Sequence, residues 1–197
     1  RVLDGGGNVV TTATTSITLS IGTNPGGSTL GGTTTVSASS GIAQFNALSL
    51  NRSGTGYTLA AAATGLTGAT SAAFDITPAA ASALAFTVQP GTTVAGVAIA
   101  PAVQVEVRDA LGNRVTTSTA SITMAIGTNP GGSTLGGTAT VNAVAGVATF
   151  STLSLNRSGV GYTLSASSGG LTSAISAGFT VNPGAASALA ITTMPAS

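Results

Sequence analysis

The sequence predicts an all-β fold made of tandem β-sandwich repeats of about 105 residues each. Three observations carry the prediction: the chain repeats itself, its apolar residues alternate with period two, and no segment keeps a 3.6-residue period for three turns.

The repeat is read directly from the residues. IGTNPGGSTLGGT at Ile21–Thr33 recurs at Ile126–Thr138, SLNRSG at Ser49–Gly54 returns at Ser154–Gly159, and AASALA at Ala80–Ala85 returns at Ala185–Ala190. Each pair is offset by 105 positions, and the aligned overlap keeps roughly six identities in ten. Such similarity within one chain reads as recent duplication, so a shared segment is not a site merely because it is shared.

The second copy gives the elements in order. Leu84, Phe86 and Val88 alternate until Pro90 and Gly91 break the run. Val103, Val105 and Val107 then face one way, with Gln104, Glu106 and Arg108 facing the other, before the turn Asp109–Asn113. Ile122, Met124 and Ile126 predict a third strand, which the Asn-Pro-Gly-Gly run at 129–132 ends. Ala139, Val141 and Ala143 predict a fourth. Ala148 and Phe150 follow the turn at Gly146, Tyr162, Leu164 and Ala166 line a sixth, and Ala177, Phe179 and Val181 line a seventh that Pro183 closes. Seven short strands in about 100 residues fit an immunoglobulin-like Greek-key sandwich. Gly161-Tyr162-Thr163-Leu164, repeated at Gly56-Tyr57-Thr58-Leu59, has the form of a tyrosine corner, in which a Tyr at a strand start bonds the upstream backbone. Leu164 stands where antibody domains place a cysteine, so apolar packing takes the place of the bridge.

Composition limits the chemistry. Charged residues are 5% of the chain, against about 25% in ordinary soluble domains, so Thr, Ser, Asn, Gly and Ala must build much of the surface. There is no Cys, His or Lys. That removes disulfides and thiolate chemistry, imidazole bases and ligands, side-chain Schiff bases, and Lys–Asn isopeptide cross-links. A net charge of +1 offers no field for nucleic acid or anionic lipid. The mean hydropathy of +0.51 comes from scattered Ala and absent charge. The longest weakly polar run, Val94–Val103, is about half a membrane span and holds Gly96 and Pro101, so no membrane insertion is expected.

The run from Leu84 to Val115, LAFTVQPGTTVAGVAIAPAVQVEVRDALGNRV, resembles the opening strands of bacterial immunoglobulin-like repeats, as in invasin-type and other large surface proteins. The matched features are the "VQP" of the first strand, the Ala-Gly before the second, and "VEVRDALGN" at its end. The resemblance covers essentially the whole chain. It implies extracellular or cell-surface tandem arrays that act as stalks, spacers, adhesins or filament subunits, and it brings no ligand residue with it.

Arg1 aligns with Glu106, so the first copy lacks the counterpart of the opening strand that the second carries at Ala83–Gln89. Residues 184–197 match residues 79–92 and are that strand again, without a body. The expected organisation is therefore 1–78 as a repeat lacking its first strand, 79–183 as a complete repeat, and 184–197 as the first strand of a further repeat or a donor strand. A window on a longer array accounts for this phase; so does strand complementation between subunits. The junction Ile76-Thr77-Pro78-Ala79 is short and Pro-stiffened, which predicts restricted bending.

The candidate sites are few. Asn51-Arg52-Ser53 and Asn156-Arg157-Ser158 fit the N-glycosylation sequon, and dense surface Ser and Thr could carry O-glycans. Asp4 and Asp109 precede Gly-Asn turns; four carboxylates in the whole chain are too few for a calcium site, so each Asp is expected to cap its own turn. The glycine clusters lack the Lys and helix of a phosphate loop. Neither a cofactor nor a catalytic residue is predicted. The function expected is non-enzymatic: a stalk or filament of end-to-end modules that self-associates, with a glycan- or protein-binding adhesin as the alternative.

Overall fold

The computed structural model describes residues 1–191, and among them every regular element is a strand. The chain divides into two compact units, residues 1–80 with 109–114, and residues 81–108 with 115–197. The call of an opening strand over 184–197 falls partly on residues 192–197, which lie outside the described residues.

In the first unit the strands are β1 (Ser16–Ile21), β2 (Leu30–Gly31), β3 (Thr35–Ser37), β4 (Ser49–Leu50), β5 (Gly54–Tyr57), β6 (Leu59–Ala62), β7 (Ala69–Thr70) and β8 (Phe74–Ile76). They form a four-stranded sheet in the order β3-β1-β6-β7 and the pairs β2-β4 and β5-β8. The second unit contains β9 (Ala83–Val88), β10 (Thr93–Val94), β11 (Val103–Arg108), β12 (Ser121–Ile126), β13 (Leu135–Gly136) and β14 (Thr140–Asn142). It continues with β15 (Val147–Phe150), β16 (Ser154–Leu155), β17 (Gly159–Tyr162), β18 (Leu164–Ser167), β19 (Ala174–Ile175) and β20 (Phe179–Asn182). Its sheets are β14-β12-β18-β19, β15-β11-β9, β10-β20-β17 and the pair β13-β16.

Alternation places the side chains as the sequence requires. Val103, Val105 and Val107 are fully buried and the residues between them half-buried, because successive Cβ atoms leave opposite faces. With Leu84, Ile122, Met124, Phe150, Leu153, Leu155, Leu164 and Val181 they form one continuous core. The run expected as a single strand through Tyr162 and Leu164 divides instead. β17 pairs with β20, while β18 pairs with β12 and β19, so one extended segment serves two sheets.

β9 joins the layers of the second unit. It pairs antiparallel with β11, Val107 opposite Leu84 and Arg108 opposite Ala83. On its other side Ala83 bridges Thr172, the Leu84 N–H donates to the Thr172 carbonyl at 2.9 Å, and the Thr172 N–H donates to the Ser82 carbonyl at 2.9 Å. The chain then crosses over, and β10 pairs in parallel with β20.

The first unit has most of the same inner residues, with Leu19 in place of Met124, and of β9 to β11 only the end of β11 has a counterpart in it, at Arg1–Leu3. Its core is correspondingly open. Ile17, Leu19, Phe45, Leu48, Leu59, Ala61 and Phe74 are half-buried where Ile122, Met124, Phe150, Leu153, Leu164, Ala166 and Phe179 are buried. Residues 43–48 form no strand, whereas the matching β15 pairs along β11.

Leu164→Ala should therefore destabilise its unit by about 2–5 kcal/mol, and Leu59→Ala by less, because cavity cost scales with burial. Urea unfolding checks this, since Tyr57 and Tyr162 give each unit one tyrosine. Tyr57 should report the transition of lower midpoint.

Candidate functional site

Three local arrangements stand out, and each is built by backbone geometry. The first surrounds the two tyrosines. Tyr57 and Tyr162 are fully buried, and their hydroxyls donate to the carbonyls of Arg52 and Arg157, each at 2.9 Å. Phe74 stacks on Tyr57 at 6.2 Å between ring centroids, and Phe179 lies 6.0 Å from Tyr162. A Cβ on Gly131 would collide with the Tyr162 hydroxyl, and one on Gly26 with that of Tyr57. The Asn-Pro-Gly-Gly turn is thus a packing surface as well as a turn, a role its turn chemistry did not disclose.

The sequon loops lie beside these corners. Asn51 and Asn156 are exposed, yet each Oδ1 is fixed. Asn51 Oδ1 accepts from Ser28 Oγ and the Thr29 N–H, both at 3.0 Å. Asn156 Oδ1 accepts from Ser133 Oγ and the Thr134 N–H, both at 2.9 Å. Their first role is to tie one loop to the next.

The second arrangement is the pair of Asp turns. Asp4 Oδ1 accepts the N–H groups of Gly6 and Asn8 at 2.9 Å. Those bonds, chiefly from the Asn8 backbone and side chain, hold its carboxyl below the usual carboxylate value. Asp109 is buried and more completely bonded. Its Oδ1 accepts from the N–H groups of Leu111 and Asn113, and its Oδ2 from Asn113 Nδ2 at 3.0 Å and the Ala79 N–H at 2.9 Å. Burial by itself would raise its pKa, but the Asn113 amide and the three N–H donors outweigh that and hold it at about 2. Asn113 then accepts from the Ser53 N–H at 3.1 Å and donates to the Asn51 carbonyl at 3.2 Å. Among the described residues no three Asp, Glu, His or Cys side chains group as a metal site.

The third arrangement is a groove of about 460 Å³ in the first unit, lined by Val2, Leu3, Ile17, Ala61, Leu66 and Ala69 among others. Their counterparts in the second unit are Val107, Arg108, Ile122, Ala166, Leu171 and Ala174, and β9 lies among them: it pairs with β11 and packs against β19, and Leu84 shares their core cluster. The groove therefore corresponds to the place that β9 takes in the second unit. Leu66 is 45% exposed at its rim. No composition or motif signal marks this site; only the 105-residue offset finds it.

Two of the sequence expectations can be placed by geometry alone. The Asp residues cap their own turns, and the tyrosine hydroxyls bond upstream backbone. Asp75 accepts the Gly56 N–H at 2.9 Å, a bond Thr180 does not repeat.

No protein-family model matches the chain, and no curated protein matches it. Solved structures similar to it include a β-glycosidase from Bacteroides vulgatus, at 12% identity and a TM-score of 0.42, covering 86% of this chain and 21% of that one. A β-glucuronidase from glycoside hydrolase family 2 has 17% identity and a TM-score of 0.42, covering 87% and 18%. Domains 4–9 of the surface layer protein SbsC have 14% identity and a TM-score of 0.35, covering 95% and 25%. The chain thus spans a quarter or less of each of these proteins.

Two predictions follow from the bonds above. Asp109 has a depressed folded pKa, so its contribution to stability is complete above the unfolded value of 3.8 and is lost as pH falls toward about 2. Asp109→Asn should flatten that part of an acid-unfolding profile. Tyr162→Phe, which removes the hydrogen bond from the buried tyrosine to the Arg157 carbonyl, should cost about 0.5–1.5 kcal/mol in urea unfolding.

Proposed function

We propose that this chain is a non-enzymatic structural module of an extracellular or cell-surface protein, in which β-sandwich repeats follow one another as a stalk or filament. The observation that carries the reading is internal. The element that closes the core of one repeat, Ala80–Ala85, is encoded again at Ala185–Ala190, one repeat length further on. A chain whose closing strand is offered forward suits end-to-end addition, either along one chain or between subunits by strand complementation.

The resemblance to bacterial immunoglobulin-like surface repeats supports the same reading. So does the near-neutral Thr, Ala and Gly surface, which repels its own copies little. Asn51 and Asn156 are proposed as glycan acceptors on such a surface, and the intact mass of native material checks this: a mass equal to the polypeptide alone contradicts it.

Small-angle scattering of the 197-residue chain tests the stalk. A rod-like profile is expected from the short Pro-stiffened junction. The profile of two freely jointed bodies contradicts it.

A further inference from the structure

We propose that the turn at residues 109–113 is a clasp: encoded between β11 and β12 of the second unit, it stabilises the fold of the first. The inference goes beyond the stalk reading and does not rest on it, since it concerns the stability of one unit and not the shape or location of the protein.

The path of the chain sets this up. β11 ends at Arg108 and β12 begins at Ser121, both in the second unit, while residues 109–114 between them belong to the first. The base of the turn is held in the second unit. There the Val115 N–H donates to the Val107 carbonyl at 2.9 Å, and both side chains are buried in that unit's core. The tip is held in the first unit. Asn113 Oδ1 accepts from the Ser53 N–H at 3.1 Å, and Asn113 Nδ2 donates to the Asn51 carbonyl at 3.2 Å. Asp109 Oδ2 accepts from the Ala79 N–H at 2.9 Å.

These three bonds are not what makes the turn. Asp4 and Asn8 build the same turn from local bonds alone: the Asp4 N–H donates to the Asn8 carbonyl at 2.9 Å, and Asp4 Oδ1 accepts from the N–H groups of Gly6 and Asn8. The local bonds recur at Asp109, and the long-range ones are additional. Asp109 and Asn113 are buried, at 3% and 8% exposure, and among the described residues no buried side-chain nitrogen or oxygen lacks a partner. The groups they bind lie on two separate segments of the first unit, the loop between β4 and β5 and the junction after Pro78. One turn therefore ties two segments that are distant in sequence. Because its base is already fixed, the first unit gains these bonds without the full entropy of ordering a free loop. Stability that depends on a residue of the next repeat is the nearest-neighbour term of a repeat array.

Amide exchange, read residue by residue by NMR on the full 197-residue chain, tests the clasp. Leu19 and Met124 stand 105 positions apart, and their N–H groups donate to the carbonyls of Thr34 at 2.8 Å and Ala139 at 2.7 Å. They are matched reporters of the two units. Asn113→Ala removes the bonds to Asn51 and Ser53, and should speed exchange at Leu19 about tenfold while leaving Met124 unchanged. Asp109→Asn, which exchanges the acceptor facing the Ala79 N–H for a donor, should again act on Leu19 and not on Met124; it decides the matter if Asn113→Ala does not fold. A change at Met124 alone, equal changes at both positions, or no change at Leu19 overturns the clasp. A scattering profile that contradicts the stalk leaves this result untouched, so the two readings can fail separately.

Discussion

The second unit depends on the placement of one strand. β9 pairs along β11 on one edge and bridges to Thr172 on the other, so it links two sheets whose inner faces share one core. Sheet edges left open in water cost little, since water satisfies their amides. The inner face is different: Val103, Ile122, Leu164 and Leu84 gain stability only when water is excluded from all of them together. With no disulfide, thiolate metal site or Lys–Asn isopeptide available to this sequence, excluding water is the work of strand pairing alone.

The first unit gives the comparison, since among the described residues none of its strands corresponds to β9. Its residues are mostly those of the second, yet Ile17, Leu59 and Phe74 stay half-buried where their counterparts are buried. Residues 43–48 form no strand, whereas the matching β15 pairs along β11. Nearly the same local sequence therefore has two outcomes, and the difference lies in tertiary context. Local features survive. Both tyrosines keep their hydroxyl bonds, and both Asp turns keep theirs, since those contacts close within a few residues.

This divides what could be read in advance from what could not. The alternation of Val103, Val105 and Val107 fixed a strand and its buried face, and Gly-Tyr-Thr-Leu predicted the corner hydroxyl bond, because each rests on near-neighbour geometry. The short strands β10, β13, β16 and β19 carry two residues each and too little pattern to announce themselves. The break between β17 and β18 was hidden because Tyr162 and Leu164 continue one alternation while their partners change sheets. Gly131 read as a turn glycine; that its missing Cβ makes room for Tyr162 is a long-range fact. The groove was legible only through the 105-residue offset, with its lining supplied by the fold.

The account's central claim is that β9 closes the core of the second unit. Amide hydrogen exchange at Thr172 measures it most directly, because its N–H donates to the Ser82 carbonyl. The account predicts slow exchange at Thr172 in the intact chain and fast exchange in Leu84→Asp, where β9 is driven from the core. A Thr172 amide that exchanges fast in the intact chain, or that stays equally protected in Leu84→Asp, would contradict it.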